Sequence, residues 1–376
     1  MANYTAIVVG AGIVGLAMAR SLARKGFSVK VIERSHKPVG ASIRNFGMVW
    51  PIGQPSGTLY ERALRSRFIW KEQCREAGLW CRETGSLHVA HHADEWDVLQ
   101  EVCEAFKNER SVKLLTRNDI LALSDAVVDE NLFGGLYSAD ELLVDPREAI
   151  PGLARYLEET EDVEFSWGKC VTYIADQTVF FGSDQEWEAD VVFICSGADF
   201  ETLYPEIFEK EAITKCKLQM MRFASQSPSW KLGPSLCGGL SLVHYKSFQV
   251  ASSLPGLKAR YSQEMSEYLN WGIHVMVAQN GRGELIVGDS HEYGNTFDPF
   301  NKSCLNEMIL SYLKTFATLD EWKQLDSWNG VYAKLKDGRT EMICSPENGV
   351  YIVNGLGGAG MTLSFGLAEE IIASVA

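Results

Sequence analysis

A mixed α/β (α+β) fold, with a Rossmann-like parallel sheet and a second, mostly antiparallel sheet, is predicted by three features of the sequence. Two glycine-rich turns stand near opposite ends of the chain, each following an apolar run and leading into a helical stretch. Between them lie short segments with strand-like alternation. The motifs that belong to the parallel sheet recur at the start, middle and end. Its domain is therefore expected to be discontinuous, from residues 1–80, 141–205 and 330–376, with residues 81–140 and 206–329 forming the second domain.

The first element is a strand over residues 6–9. It meets Gly10, Ala11, Gly12, Ile13, Val14 and Gly15, and an Ala-rich helix over residues 13–25 follows. Gly10 permits the tight turn, Gly12 lets the backbone approach a pyrophosphate, and Gly15 lets helix and strand pack closely. The helix N-terminus faces the phosphate charge. The next strand, residues 28–32, ends on Glu33, where a βαβ unit places the acid that accepts ribose hydroxyls. That carboxylate would repel the 2′-phosphate of NADP, so FAD or NAD remains. Downstream, Gly355, Gly357, Gly358, Ala359, Gly360, Met361 and Thr362 form a second turn before a last helix bearing Leu363, Leu367, Ile371 and Val375. Backbone amides and a helix dipole aimed at the pyrimidine edge of a flavin would stabilise its anionic reduced form, which favours FAD.

Between these ends, residues 145–159 read as a helix and 169–173 as a strand. Strand-like runs follow at 215–223, 273–278 and 284–287, then a helix at 305–316. Composition narrows the function. With 376 residues and 46% hydrophobic content the chain can bury a large core, while its formal charge of -14 argues against nucleic acid or an anionic membrane as partner. Nine cysteines show no C-x-x-C pairs or Cys/His clusters, so neither a metal site nor a disulfide framework is indicated. The apolar opening lacks a basic n-region, and no run is long enough to span a bilayer. A cytoplasmic enzyme is the expectation.

The N-terminal fingerprint, the run from Gly40 through Ala41, Ser42, Arg44, Asn45 and Phe46 to Gly47, Val144-Asp145-Pro146, the run from Asp190 to Ala198 and the closing turn occur in a fixed order. In that order the chain resembles the FAD-dependent amine oxidoreductases, the group of D-amino-acid, glycine and sarcosine oxidases. The stretches 217–220, 272–276, 288–294 and 360–366 are similar to a bacterial clade associated with aminophosphonate oxidation. The resemblance implies an FAD-binding domain and a substrate-binding domain. It also implies FAD contacts at the fingerprint residues, Glu33, Arg34, Ala41, Ser42, Asn45, Phe46, Gly47, Val171, Ser196, Gly197, Gly330 and the closing turn. Cysteine near Gly330 and histidine near Arg44 tether FAD in some relatives. Neither is present, so dissociable FAD is expected.

The activity implied is oxidation of an amine C–N bond by hydride transfer to flavin N5, followed by imine hydrolysis. An amino- or N-alkyl-aminophosphonate yielding a phosphonoaldehyde is the expected substrate. The alternatives are glycine, sarcosine, a D-amino acid or a 2-hydroxy acid, or, more remotely, a non-catalytic or RNA-modifying flavin protein. Tyr332 stands where relatives carry a carboxylate-clamping arginine, and Thr362 where sarcosine oxidases carry a lysine. A phosphonate clamp would combine several donors. Arg44 is its leading candidate, followed by Lys334, with Arg222, Lys246 and Arg339 behind and Tyr245 and Tyr332 in support. His274 and His291 are candidate proton acceptors, with His244 a third histidine nearby. The electron acceptor, oxygen or another, and the oligomeric state are left open.

Overall fold

A computed structural model describes residues 4–375. A six-stranded sheet runs in the order Met342–Glu347, Val350–Asn354, Val191–Ile194, Thr5–Val9, Ser28–Glu33, Glu164–Trp167. Its pairings are parallel except at the Met342–Glu347 edge. The central strands are apolar on both sides. Ala6 and Val8 join one buried cluster and Ile7 joins another; Val191 and Phe193 likewise part company with Val192 and Ile194. A sheet covered on both faces needs such continuous apolar runs. One face packs on the helices Ile13–Arg24, Thr58–Glu76, Pro146–Thr160 and Gly360–Val375. The other is covered in part by the small antiparallel sheet of Val171–Ala175, Thr178–Phe181 and Gln185–Glu188.

The second sheet has nine strands among the described residues and is antiparallel at every pairing but one, Ser235–Cys237 beside Ser86–Ala90. Its spine is the pair Ile213–Phe223 and Gln324–Leu335, in register from Ile213 opposite Leu335 to Arg222 opposite Asp326, with a register shift before Phe223 opposite Gln324. Leu285–Gly288 and Met276–Gln279 continue the sheet. The strand Gln324–Leu335 therefore carries Gly330, Tyr332 and Lys334 inside the antiparallel sheet, and Lys334 also bridges to Leu356 at the closing turn.

Most expected elements occur with ends shifted by a residue or two, as for the helices Ile13–Arg24, Pro146–Thr160 and Ser303–Phe316. One expectation is corrected. The apolar run 273–278 is not all strand: the ladder begins at Met276, and His274 precedes it. His274 is still fixed by backbone, since its N–H donates to the Asp289 carbonyl at 3.3 Å and that of Asp289 donates to the His274 carbonyl at 3.1 Å. No helix among the described residues is long and apolar enough to cross a membrane.

Candidate active site

The two glycine-rich turns meet at one chamber. Gly10 adopts φ +104°, and a Cβ there would sit 2.5 Å from the Cys195 carbonyl oxygen; one at Gly15 would sit 1.8 Å from that of Gly10. Only glycine lets the first helix start this close to its strand. That helix has no side-chain cap at Gly12, and neither it nor the last helix carries an acid in its first turn. Two helix N-termini thus offer amides and positive dipole ends to one space, which fits an anionic dinucleotide.

Around them, the Ser42 hydroxyl accepts from the Ile13 N–H at 2.9 Å, and Asn45 ties its own loop, donating to the Ala41 and Ser42 carbonyls and accepting from the Gly47 N–H at 2.7 Å. Glu33 closes the second strand and accepts from the Ala11 and Ser35 N–H groups, both at 2.9 Å. Arg34 pairs with Asp199 at 2.7 Å. Val171 is buried at the start of the small sheet, and Ser196 and Gly197 are tied to the closing turn by the Asn354 amide. The Thr362 hydroxyl accepts from the Trp50 N–H at 2.9 Å, so it anchors the start of the last helix to the segment around Trp50.

The chamber has a volume of about 510 Å³ and is lined by Gly12, Ile13, Val14, Ala41, Ser42, Asn45, Gly197 and the Gly355 to Thr362 turn on one side. Phe46, Met48, Trp50, Leu218, Met220 and Met276 supply an apolar belt. The rest of the lining includes Tyr245, His244, His274, His291 and Asp289, with Tyr332 and Lys334 reaching from the antiparallel sheet to the closing turn. Glu33, Arg34, Gly47 and Val171 are not in this lining. They flank the turns from outside.

At the far end His244, His274 and His291 each bring a ring nitrogen within 4.8 Å of the others. The His291 Nδ1 donates to the Gly272 carbonyl at 2.9 Å. His274 Nε2 lies 3.2 Å from Asp289 Oδ1, without the alignment of a hydrogen bond, and both His274 Nδ1 and Asp289 Oδ1 are buried with no partner. Burial sets the charge states here. It holds His274 well below the usual imidazole range, pushes His291 down to about 4, and holds the Asp289 carboxyl well above the usual carboxylate range, while His244 is exposed at the chamber's edge. Burial likewise raises the Tyr245 and Tyr332 phenols.

The predicted clamp residues divide. Lys334 lines the chamber and donates to the Tyr293 hydroxyl at 2.9 Å, while Tyr332 stands over the closing turn, its hydroxyl 3.6 Å from where a Gly358 Cβ would be. Arg44 lines the chamber as well, but its Nη1 donates to the Asn329 carbonyl at 3.1 Å, tying the loop to the strand around Gly330. Lys246 and Arg339 sit in the lining, Lys246 donating to the Gly338 carbonyl and Arg339 paired with Asp337 and Glu211. Arg222 is corrected: it is outside the chamber, held by Glu284 and Asp326. Sequence reasoning passed over Asp289 and the Trp50 wall. The Gly288-Asp289 step was visible beside His291, but nothing local showed that it faces His274.

Comparison with solved structures finds the same fold in glycine oxidase from Geobacillus kaustophilus, with a TM-score of 0.76 and 19% identity over 99% of this chain and 94% of that one. L-alpha-glycerophosphate oxidase from Mycoplasma pneumoniae also gives 0.76, at 17% identity over 99% and 94% of the two chains. These likenesses are of fold. Among curated proteins, the bifunctional tRNA 5-methylaminomethyl-2-thiouridine biosynthesis protein MnmC of Chromobacterium violaceum is 27% identical over 245 residues, 62% of this chain. The chain spans about a third of the length of that relative, 36% of it. The DAO family, described as FAD dependent oxidoreductase, matches residues 5–374. With that match over nearly its whole length, the chain belongs to the DAO family of FAD-dependent oxidoreductases and uses FAD.

Proposed function

We propose that this oxidoreductase oxidises the C–N bond of an anionic amine, and that the anion is a phosphonate: an amino- or N-alkyl-aminophosphonate, giving a phosphonoaldehyde and ammonia or an amine. One observation carries the reading. In a protein of net charge -14 the chamber is lined by Arg44, Lys246, Lys334, Lys336 and Arg339 against a single carboxyl, Asp289. Among the described residues Arg44, Lys246 and Lys334 have no carboxylate partner. Such a focused field concentrates anions inside an otherwise acidic molecule. Tyr332 in place of a clamping arginine fits an anion held by several separate donors better than a carboxylate held by one planar fork.

When bound, FAD supplies the acceptor for a hydride leaving the carbon that bears nitrogen. The chain's own residues prepare that step. The apolar belt of Phe46, Met48, Trp50 and Met276 excludes water and disfavours the substrate's ammonium form relative to the free amine that must react. Lys334 and Tyr332 hold the anionic end, which fixes the reacting carbon's distance from the closing turn. A phosphate-bearing substrate is named in the glycerophosphate oxidase that shares the fold, and that precedent supports a tetrahedral oxyanion here. The MnmC likeness raises an RNA-linked reading; the acidic surface disfavours it.

The test is anaerobic bleaching of the oxidised flavin band by a panel of amines. Bleaching by 2-aminoethylphosphonate and its N-methyl derivative, and not by glycine, sarcosine or D-alanine, is expected. Bleaching by the carboxylates alone overturns the phosphonate assignment.

A further inference from the structure

At the far end of the chamber the rings of His274 and His291 are stacked, and that of His244 is tilted against both. The rings of His244 and His274 lie 3.7 Å apart at 33°, those of His274 and His291 5.2 Å apart at 18°, and those of His244 and His291 5.1 Å apart at 36°. Three ring nitrogens within 4.8 Å of one another are also what a metal ion would need, so the neighbouring charge decides between a cation and an anion. Lys334 exerts its positive charge on all three rings, which disfavours a dication and favours an anion.

The tautomer of one ring is fixed by its surroundings. The Gly272 carbonyl can only accept, so His291 Nδ1 carries the hydrogen, and in the neutral ring Nε2 is an acceptor. Gly272 reaches this position at φ +56°, where a Cβ would lie 2.8 Å from His291 Cβ. The cluster therefore offers donors from Lys334 and, at His291 Nε2, a lone pair that needs a donor from the ligand. Carboxylates and sulfonates have acceptor oxygens only. A monoprotonated phosphonate has both.

We propose that His244, His274, His291 and Lys334 form the headgroup subsite, and that His291 Nε2 selects phosphonate over other monoanions by accepting a hydrogen bond from its P–OH. This rests on the phosphonate reading above and adds a specificity-determining residue to it. No bond is made or broken in the step; a single hydrogen bond discriminates the ligands.

The test uses inert ligands, so it is separate from turnover. FAD-loaded, tag-free protein is titrated with ethylphosphonate and with ethanesulfonate at mildly acidic pH, where both are tetrahedral monoanions that differ by one hydroxyl, and the flavin spectrum reports binding. Ethylphosphonate should bind about tenfold tighter or more. His291→Phe should bring the two affinities together, and Lys334→Met should weaken both alike. Equal affinities in the wild-type protein overturn the proposal even if His291→Phe fails to fold, as does a preference that survives in a folded His291→Phe. One equivalent of tightly held Zn²⁺ that competes with ethylphosphonate overturns it too. Failure of the phosphonate reading itself would show separately, as no bleaching by aminophosphonates.

Discussion

The two walls of the chamber are made by opposite means. At the dinucleotide wall the working groups are backbone amides, and the side chains matter by being absent: a Cβ at Gly15 would lie 1.8 Å from a carbonyl oxygen. At the far wall the working groups are side chains, His244, His274, His291, Tyr332 and Lys334, and the backbone serves to bring distant segments together. A wall of amides can hold a common cofactor whatever the substrate. A wall of side chains can be rewritten one residue at a time, so substrate identity must be sought there.

The sharpest way to break this contrast is Gly15→Val, which should leave purified protein with almost no FAD, read as the ratio of flavin to protein absorbance. Retained flavin would mean that close helix–strand packing is not what builds the first wall. Next in size comes a buried side chain that ties the turn at Ile52 to the second sheet at Ser86. Glu141 accepts from the Ile52 N–H and the Ser86 hydroxyl, both at 2.9 Å, and burial pushes its carboxyl up to about 7 from an ordinary 4.5. A raised carboxyl stabilises the fold fully below its unfolded pKa and loses that contribution as pH rises through the folded one. Wild-type stability should therefore lose roughly 3 kcal/mol from this group between mildly acidic and neutral pH. Denaturant melts of Glu141→Gln across that window should lack this component; identical slopes would refute it.

Lys334→Met should lower kcat/KM for the anionic amine about 10- to 100-fold while flavin content stays at the wild-type level. Loss of flavin instead would blur the division between the walls. The smallest effect concerns His88, fully buried between Trp50 and Phe248 with neither ring nitrogen partnered and pushed down to about 3 by burial. His88→Leu should stabilise the protein by about 1–2 kcal/mol at neutral pH. Its gain should grow on acidification from the ordinary imidazole range downward, because the unfolded wild-type chain takes up a proton there that the folded chain refuses. Thermal melts at two pH values decide it.

The same contrast explains what could be read from the sequence. The first wall was legible because its signals are local: Gly10, Gly12 and Gly15 sit beside the strand and helix they serve, and Glu33 ends the next strand. Period-two and period-3.6 patterns carried the strand Ile213–Phe223 and the helix Ser303–Phe316 for the same reason. The second wall was half legible. His274, His291, Tyr332 and Lys334 were candidates by type and position, but the convergence of His244 with them depends on backbone pairing between His274 and Asp289 and on the stacking of rings from separate segments. Arg222 shows the reverse error. Its charge suggested a clamp, whereas Glu284 and Asp326, neither adjacent to it in the chain, neutralise it elsewhere.

The strand Gln324–Leu335 reaches past its sheet to touch the closing turn: Lys334 bridges to Leu356, and its Cγ lies 3.7 Å from where a Gly357 Cβ would be. The residue proposed to hold the substrate's anion thus shares a backbone contact with the turn that would meet the cofactor. If occupancy at one end stiffens the other, thermodynamic reciprocity requires the favour to be returned in equal measure. Substrate and cofactor should therefore each slow the other's departure, so that the protein sheds its FAD faster when idle than when at work.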